Sequence, residues 1–246
     1  MQPEALREAQ TAPESALIAS DHADDGKKHL LLAASGSVAM IKLPEILHAL
    51  SQYAHLSIRL VLTSSARQFL AGQSAEQPML SSLRHAPNVD GIYYDEDEWS
   101  APWVRNATIL HIELRRWTHL LVIAPLSANS LAKMALGMAD NLLLSVIRAW
   151  DTTGQIDGSK KLIVAAPAMN TAMWMHPVTK KHLSILEDEW GVGCGKDGWI
   201  EVLRPVEKML ACGDTGTGAM HGWSDIVAVI QSHLDLSSKP AEHPSG

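Results

Sequence analysis

Four short apolar runs constrain this chain more than any other feature. They are residues 29–34 (HLLLAA), 57–63 (SIRLVLT), 119–125 (HLLVIAP) and 161–167 (KLIVAAP). A strand covered on one face alternates apolar with polar residues. A strand covered on both faces reads as nearly all apolar, as these runs do. Helical patterns follow them over 37–50, 65–70, 129–147 and 177–190, and a last helix is predicted over 225–234. Strands alternating with helices predict an α/β fold: a doubly wound parallel sheet with helices on both faces, three layers in all. Segment 71–118 is less regular and has room for one more strand near 91–94.

Residues 1–27, rich in Ala, Glu, Gln, Ser and Asp, read as a flexible leader, with room for a short helix but nothing apolar to dock it firmly. Residues 237–246 read as a flexible tail, which leaves a single domain over 28–236. Residues 151–160 (DTTGQIDGSK) read as a surface insertion before the fourth strand.

What ends each strand is more informative than the strand itself. The first runs into Ser35-Gly36-Ser37-Val38, the second into Thr63-Ser64-Ser65, and the third into Ser127-Ala128-Asn129-Ser130. Each loop places N–H groups and hydroxyls at a helix start on the carboxyl edge of the sheet. Phosphate is attracted there by free N–H groups and the helix dipole, and open α/β sheets bind ligands along that edge. Plain N-capping explains any one such loop, but three in one sheet favour a phosphorylated nucleotide. Neither G-x-G-x-x-G nor G-x-x-x-x-G-K-[ST] is present, so FMN fits better than NAD or a nucleoside triphosphate.

The fourth strand ends in Pro167-Ala168-Met169-Asn170-Thr171-Ala172-Met173-Trp174. Met and Trp form a soft apolar surface for a flat ring or a thiol, or simply pack on the core. Asn170 offers both a donor and an acceptor. His111, in His111-Ile112-Glu113-Leu114-Arg115-Arg116-Trp117, is a candidate base, although it is one of 12 histidines. Residues 210–220 are glycine-rich and carry Cys212, a pattern suited to a lid bearing a thiol. Cys194 sits in a similar local setting, and chemistry alone does not choose between the two.

Composition excludes other classes. Two cysteines in 246 residues make no disulfide framework and favour a reducing compartment, here taken as the cytoplasm. No Cys-x-x-Cys or His pair with ligand spacing predicts a metal. A net charge of -7 disfavours nucleic acid as partner. No apolar run approaches the roughly 20 residues of a membrane helix.

Taken together, the Gly36-Ser37-Val38-Ala39, His111–Trp117, Pro125–Ser130, Pro167–Trp174 and Ala211-Cys212-Gly213-Asp214 segments resemble the flavin-containing cysteine decarboxylases, in the family's order and over roughly 29–234. The resemblance implies a flavodoxin-like sheet, bound FMN, and a homotrimer with FMN at subunit interfaces. It implies decarboxylation of 4'-phosphopantothenoylcysteine to 4'-phosphopantetheine, on the route to coenzyme A, through a thioaldehyde and an enethiolate. By motif, Gly36, Ser37, Val38, Thr63, Ser64, Ser127, Ala128, Asn129 and Ser130 would line FMN, with Ala168 near its ring. His111 would be the base and Cys212 the proton donor. Asn170, Met173 and Ala211 would hold the substrate, and Arg116 would contact substrate or a neighbouring subunit. Some relatives regulate a serine/threonine phosphatase, so a phosphatase-binding subunit is the alternative. An electron carrier would need neither His111 nor Cys212.

Overall fold

A computed structural model describes residues 17–236 except 73, 75, 101, 194–196 and 210–214. Ala211, Cys212 and Cys194 therefore lie outside the described residues, as do 1–16 of the leader and the tail from 237.

Six parallel strands form the main sheet: β1 (Lys28–Ala34), β2 (Leu56–Leu62), β3 (Val89–Tyr93), β4 (Leu120–Leu126), β5 (Leu162–Pro167) and β6 (Ile200–Val202). Their order is β3-β2-β1-β4-β5-β6. With strands numbered along the chain this is the 3-2-1-4-5-6 order of Rossmann-like doubly wound sheets. The order reverses between β1 and β4, the switch point where such sheets open a crevice at their carboxyl edge.

The all-apolar strands have a direct physical cause. Successive residues of a strand point to opposite faces. Leu30, Leu32 and Ala34 of β1 pack with α1 (Leu43–Leu50), α2 (Ser64–Arg67), α3 (Leu80–Arg84) and α9 (Trp223–Leu234). Leu31 and Ala33 pack on the other side with α4 (Leu110–Trp117), α5 (Ala128–Ala135), α6 (Leu142–Arg148) and α8 (Pro177–Ser184). Both faces are covered, which gives the three layers predicted. Burying one leucine contributes about 2 kcal/mol, so a polar residue at any of these positions would forfeit that gain on whichever face it met.

Four sequence expectations need correcting. The helix predicted over 129–147 is two, α5 and α6. Gly137, in the left-handed region at φ 69°, ends the first, and the Asn141 side chain caps the second through Leu144 N–H at 2.9 Å. The helix predicted over 37–50 begins as a 3₁₀ turn, Val38–Lys42, before α1. The stretch read as a loop over 210–220 is partly a strand: β7 (Val206–Met209) pairs antiparallel with β8 (Thr215–Ala219). The end of the leader does dock. Leu17 is buried in the α4 side of the core, and Ala19 N–H donates to Glu113 at 2.7 Å.

The insertion at 151–160 is an organised loop. The Asp151 carboxylate accepts backbone N–H groups from Asp157, Ile156, Thr153 and Gly154, and also the Thr153 hydroxyl. Those bonds, led by the one from Asp157, hold its carboxyl below the usual carboxylate range. The loop in turn presents Asp157 to Arg115 at 2.8 Å and to Lys161 at 3.4 Å.

Candidate active site

The loops after β1, β2, β4 and β5 are bonded to one another along the carboxyl edge. Ser35 donates its N–H and its hydroxyl to the Pro125 carbonyl, at 3.0 and 3.1 Å. Its Oγ accepts Ser127 N–H at 2.7 Å. Ala168 N–H reaches the Leu126 carbonyl at 2.9 Å. A Cβ on Gly36 would come within 2.7 Å of the Ser65 side chain. The first loop therefore lies directly against the second, and only glycine permits that approach.

One hydroxyl in each of the first three of these loops is an N-cap. Ser37 accepts from Ala39 N–H at 3.4 Å, and Thr63 from Ala66 N–H at 3.3 Å. Thr63 and Ser65 hydroxyls lie 3.1 Å apart. Ser127 accepts from Ser130 N–H at 3.3 Å, and their hydroxyls are 3.2 Å apart. Capping fixes the loops and leaves the remaining N–H groups of each helix start to face a ligand. Ser64 N–H is an exception, because it donates to Asp95 at 3.4 Å. Val38 and Asn129 are exposed, whereas Ala168 is buried in the floor.

The fourth loop leads into α7 (Thr171–Met175). Asn170 Oδ1 caps it by accepting Met173 N–H at 2.8 Å. The cap fixes which end of the amide is oxygen and leaves the NH₂ as the group a ligand would meet. Met173 is exposed beside it. The β7–β8 hairpin docks here, with Met169 N–H on the Gly218 carbonyl at 3.0 Å. A Cβ on Gly218 would overlap the Met169 carbonyl, so this glycine is set by contact. Of the two strands of the hairpin, β8 is the one bonded to this loop, and β7 pairs with it. Thr171 and Thr217, on the two sides of the junction, each keep a buried hydroxyl without a hydrogen-bond partner among the described residues. Such atoms suit a polar ligand.

His111 stands near the start of α4, and α4 runs back against the strands, so this end lies at the carboxyl edge. Its ring Nδ1 is 2.7 Å from Glu98 Oε1, and its backbone N–H donates to Glu98 Oε2 at 3.2 Å. The Glu98 side chain is only 4% exposed, and the His111 side chain 23%. Spacing did not reveal Glu98. It ends an acidic run, Asp95-Glu96-Asp97-Glu98, of the kind that usually faces solvent. Asp95 anchors that run by accepting Leu142 N–H at the start of α6 at 3.1 Å.

Arg116 is not brought to this edge. It lies at the far end of α4, where its guanidinium pairs with the buried Glu113 at 3.1 Å.

Residues 18–235 match the family model described as Flavoprotein. A phosphopantothenoylcysteine decarboxylase of Arabidopsis thaliana is 46% identical over 205 residues, 83% of this chain and 84% of that one. Two fungal relatives are much longer. The chain covers 31% of a probable thymidylate synthase of Schizosaccharomyces pombe at 44% identity. It covers 36% of coenzyme A biosynthesis protein 3 of Saccharomyces cerevisiae at 40%. Among solved structures, a PPC decarboxylase mutant complexed with pantothenoylaminoethenethiol matches at TM-score 0.69 and 42% identity, over 85% of this chain and 99% of that one. The FMN binding protein AtHal3 matches at TM-score 0.65 and 42% identity, over 87% and 100%. With the sheet order, the bonded loops and these likenesses in agreement, the chain belongs to the Flavoprotein family, together with the phosphopantothenoylcysteine decarboxylases.

Proposed function

We propose that this chain is an FMN-dependent phosphopantothenoylcysteine decarboxylase that forms 4'-phosphopantetheine in coenzyme A biosynthesis. The observation that carries the reading is His111, set by a buried carboxylate at the same sheet edge as the capped loops and Asn170. Likeness to a decarboxylase of that name over most of the chain supports it.

The residues present suit FMN. The loops at Gly36–Val38 and Ser127–Ser130 offer backbone N–H groups to a phosphate, chiefly Val38, Ala128 and Asn129; the Thr63–Ser64 loop, whose own N–H groups are bonded within the protein, offers the exposed Ser64 hydroxyl, and Ala168 leaves room for a ring. Bound FMN supplies oxidation of the substrate's thiol-bearing carbon, which turns a cysteine carboxylate that lacks an electron sink into one that can leave as CO₂. The chain's own groups do the rest. His111 accepts a proton at Nε2, since Nδ1 is held by Glu98. The Asn170 NH₂ donates to the substrate carboxylate, and Met173 covers the apolar part. Cys212, with Ala211 beside it, is assigned as the proton donor on the segment between β7 and β8.

The assembly we infer is a homotrimer. Leu136, Met138, Met173, Met175 and Val178 are exposed around α5, α7 and α8, an apolar surface suited to a second copy. Arg116, at the far end of α4, would reach substrate only from a neighbouring subunit. No helix among the described residues is long and apolar enough to cross a membrane. A cytoplasmic location is part of the same reading.

Mass spectrometry of phosphopantothenoylcysteine incubated with FMN-loaded protein tests this. Wild type should release 4'-phosphopantetheine and His111→Asn should not. No turnover by FMN-loaded wild type would overturn the reading in favour of the phosphatase-binding alternative.

A further inference from the structure

We infer that Glu98 is the positioning residue of the reaction: it fixes the tautomer of His111 so that Nε2, and not Nδ1, is the base. This rests on the proposed role of His111 and goes beyond it.

Two oxygens of one buried carboxylate meet two nitrogens of one residue. Glu98 Oε2 takes the His111 backbone N–H, and Oε1 lies 2.7 Å from ring Nδ1. The backbone N–H is an obligate donor near the start of α4. Its N-cap residue, Ile109, supplies no side-chain bond, so Glu98 does that work from 13 residues upstream. A carboxylate oxygen can only accept, so in a neutral imidazole the proton must sit on Nδ1 and the lone pair on Nε2. Nε2 has no hydrogen-bond partner among the described residues. The Glu98 side chain is 4% exposed, so water does not compete for Oε1. Asp95 tethers the same turn to the start of α6, which holds the carboxylate in place.

The two-point contact makes glutamine at 98 a sharper probe than alanine. The backbone N–H requires an acceptor, so the amide oxygen must take the Oε2 position. The amide NH₂ then falls opposite Nδ1 and donates to it. The proton is driven to Nε2, and the base is lost although shape, cap and packing survive. Alanine removes the cap but leaves the ring free to sample both tautomers.

The test uses FMN-loaded full-length protein with ¹⁵N-labelled histidine. His111→Asn identifies the His111 ring signals by their absence. Wild type should show protonated Nδ1 and bare Nε2, and Glu98→Gln should show the reverse. With phosphopantothenoylcysteine, Glu98→Gln should lose kcat by about 10²- to 10⁴-fold, as for loss of a general base. Its KM should change little, and its kcat should fall below that of Glu98→Ala. A purely structural Glu98 predicts the opposite order, with glutamine the milder change. Protonated Nε2 in wild type overturns the inference without any variant. Wild-type kcat in Glu98→Gln alongside an inactive His111→Asn overturns it and leaves the decarboxylase reading standing. An active His111→Asn overturns both, because there is then no base to position.

Discussion

Asn170 combines a cap with a proposed substrate contact on one amide, and the two can be separated. Its oxygen caps α7, and its NH₂ is the group proposed to meet the substrate carboxylate. Aspartate caps a helix as well as asparagine does, so Asn170→Asp should melt within a few degrees of wild type. It replaces a donor with a second negative charge, however, so kcat/KM on phosphopantothenoylcysteine should fall at least 100-fold, measured by product formation beside a thermal melt. Gly36 shows the converse, a residue whose value lies in what it lacks. In Gly36→Ala the added methyl must displace the Ser65 side chain from 2.7 Å. Overpacking of this kind costs about 1–3 kcal/mol. Because it spreads two loops proposed to hold FMN, flavin affinity should weaken at least tenfold, or about 1.4 kcal/mol, in a fluorescence titration. Both residues were legible in the sequence, since each stands in a short loop between a strand and a helix. Glu98 was not. Nothing in an acidic run marks which carboxylate turns inward, and its partner is 13 residues away with no periodic relation.

Elements were legible where burial is two-sided and opaque where it is not. The four long strands announce themselves because both faces must be apolar. β6 has three residues, too few for any period, and β8 is Thr-Gly-Thr-Gly-Ala, with Gly218 set by the approach of Met169 rather than by strand propensity. The break between α5 and α6 was encoded by Gly137 and Asn141, but the apolar pattern continues across it. α4 depends on groups outside itself at both ends. Glu98 satisfies its start, and Lys161 Nζ its finish, donating to the Arg115 and Arg116 carbonyls at 3.0 and 2.9 Å. Burial, first, pushes the Lys161 pKa down, and Asp157 opposes it. Lys161→Met keeps the stem and removes the charge. It leaves two helix-end carbonyls without that donor and Asp157 with Arg115 alone. Hydrogen bonds to a charged group contribute about 1.5–3 kcal/mol each, so urea unfolding should show a loss of about 2–4 kcal/mol. A loss below 0.5 kcal/mol would mean that water replaces the ammonium. KM for the substrate should move little, because the His111 end of α4 is held separately by Glu98.

At the scale of the whole molecule, the two edges of the sheet do different work. The carboxyl edge carries the candidate site. The amino edge is tied together by a histidine cluster that the proposed reaction does not use. The His29 ring stacks between Trp117 at 4.6 Å and His119 at 4.8 Å, and Arg59 lies over Trp117 at 5.0 Å. His29 N–H donates to His119 Nδ1 at 2.9 Å, while His29 Nε2 meets Asp25 at 3.0 Å. These contacts join β1 to β4 and both to the docked end of the leader. A protonated His119 could not accept that N–H. Loss of water around its ring, first, and then repulsion from His29, Lys161 and Lys28 lower its pKa from 6.5 to about 4. In the unfolded chain the same ring titrates at its ordinary value, so between about pH 6.5 and 4 the unfolded state binds more protons. Stability from this contact is therefore complete above pH 6.5 and drains away as pH falls towards 4. Asp25 extends the loss to lower pH. Burial works to raise its pKa, but Lys27 N–H and the His29 ring outweigh that and bring it below 3.8. Its contribution persists until the pH drops through that range. His119→Asn is the clean probe, because an amide oxygen can take the place of Nδ1 without titrating. The wild-type melting temperature should fall steadily from pH 6.5 to 4.5, and that of His119→Asn should fall less over the same interval, with both proteins alike at pH 7.5. Parallel slopes would show that His119 does not govern acid stability and that the loss arises elsewhere in the fold.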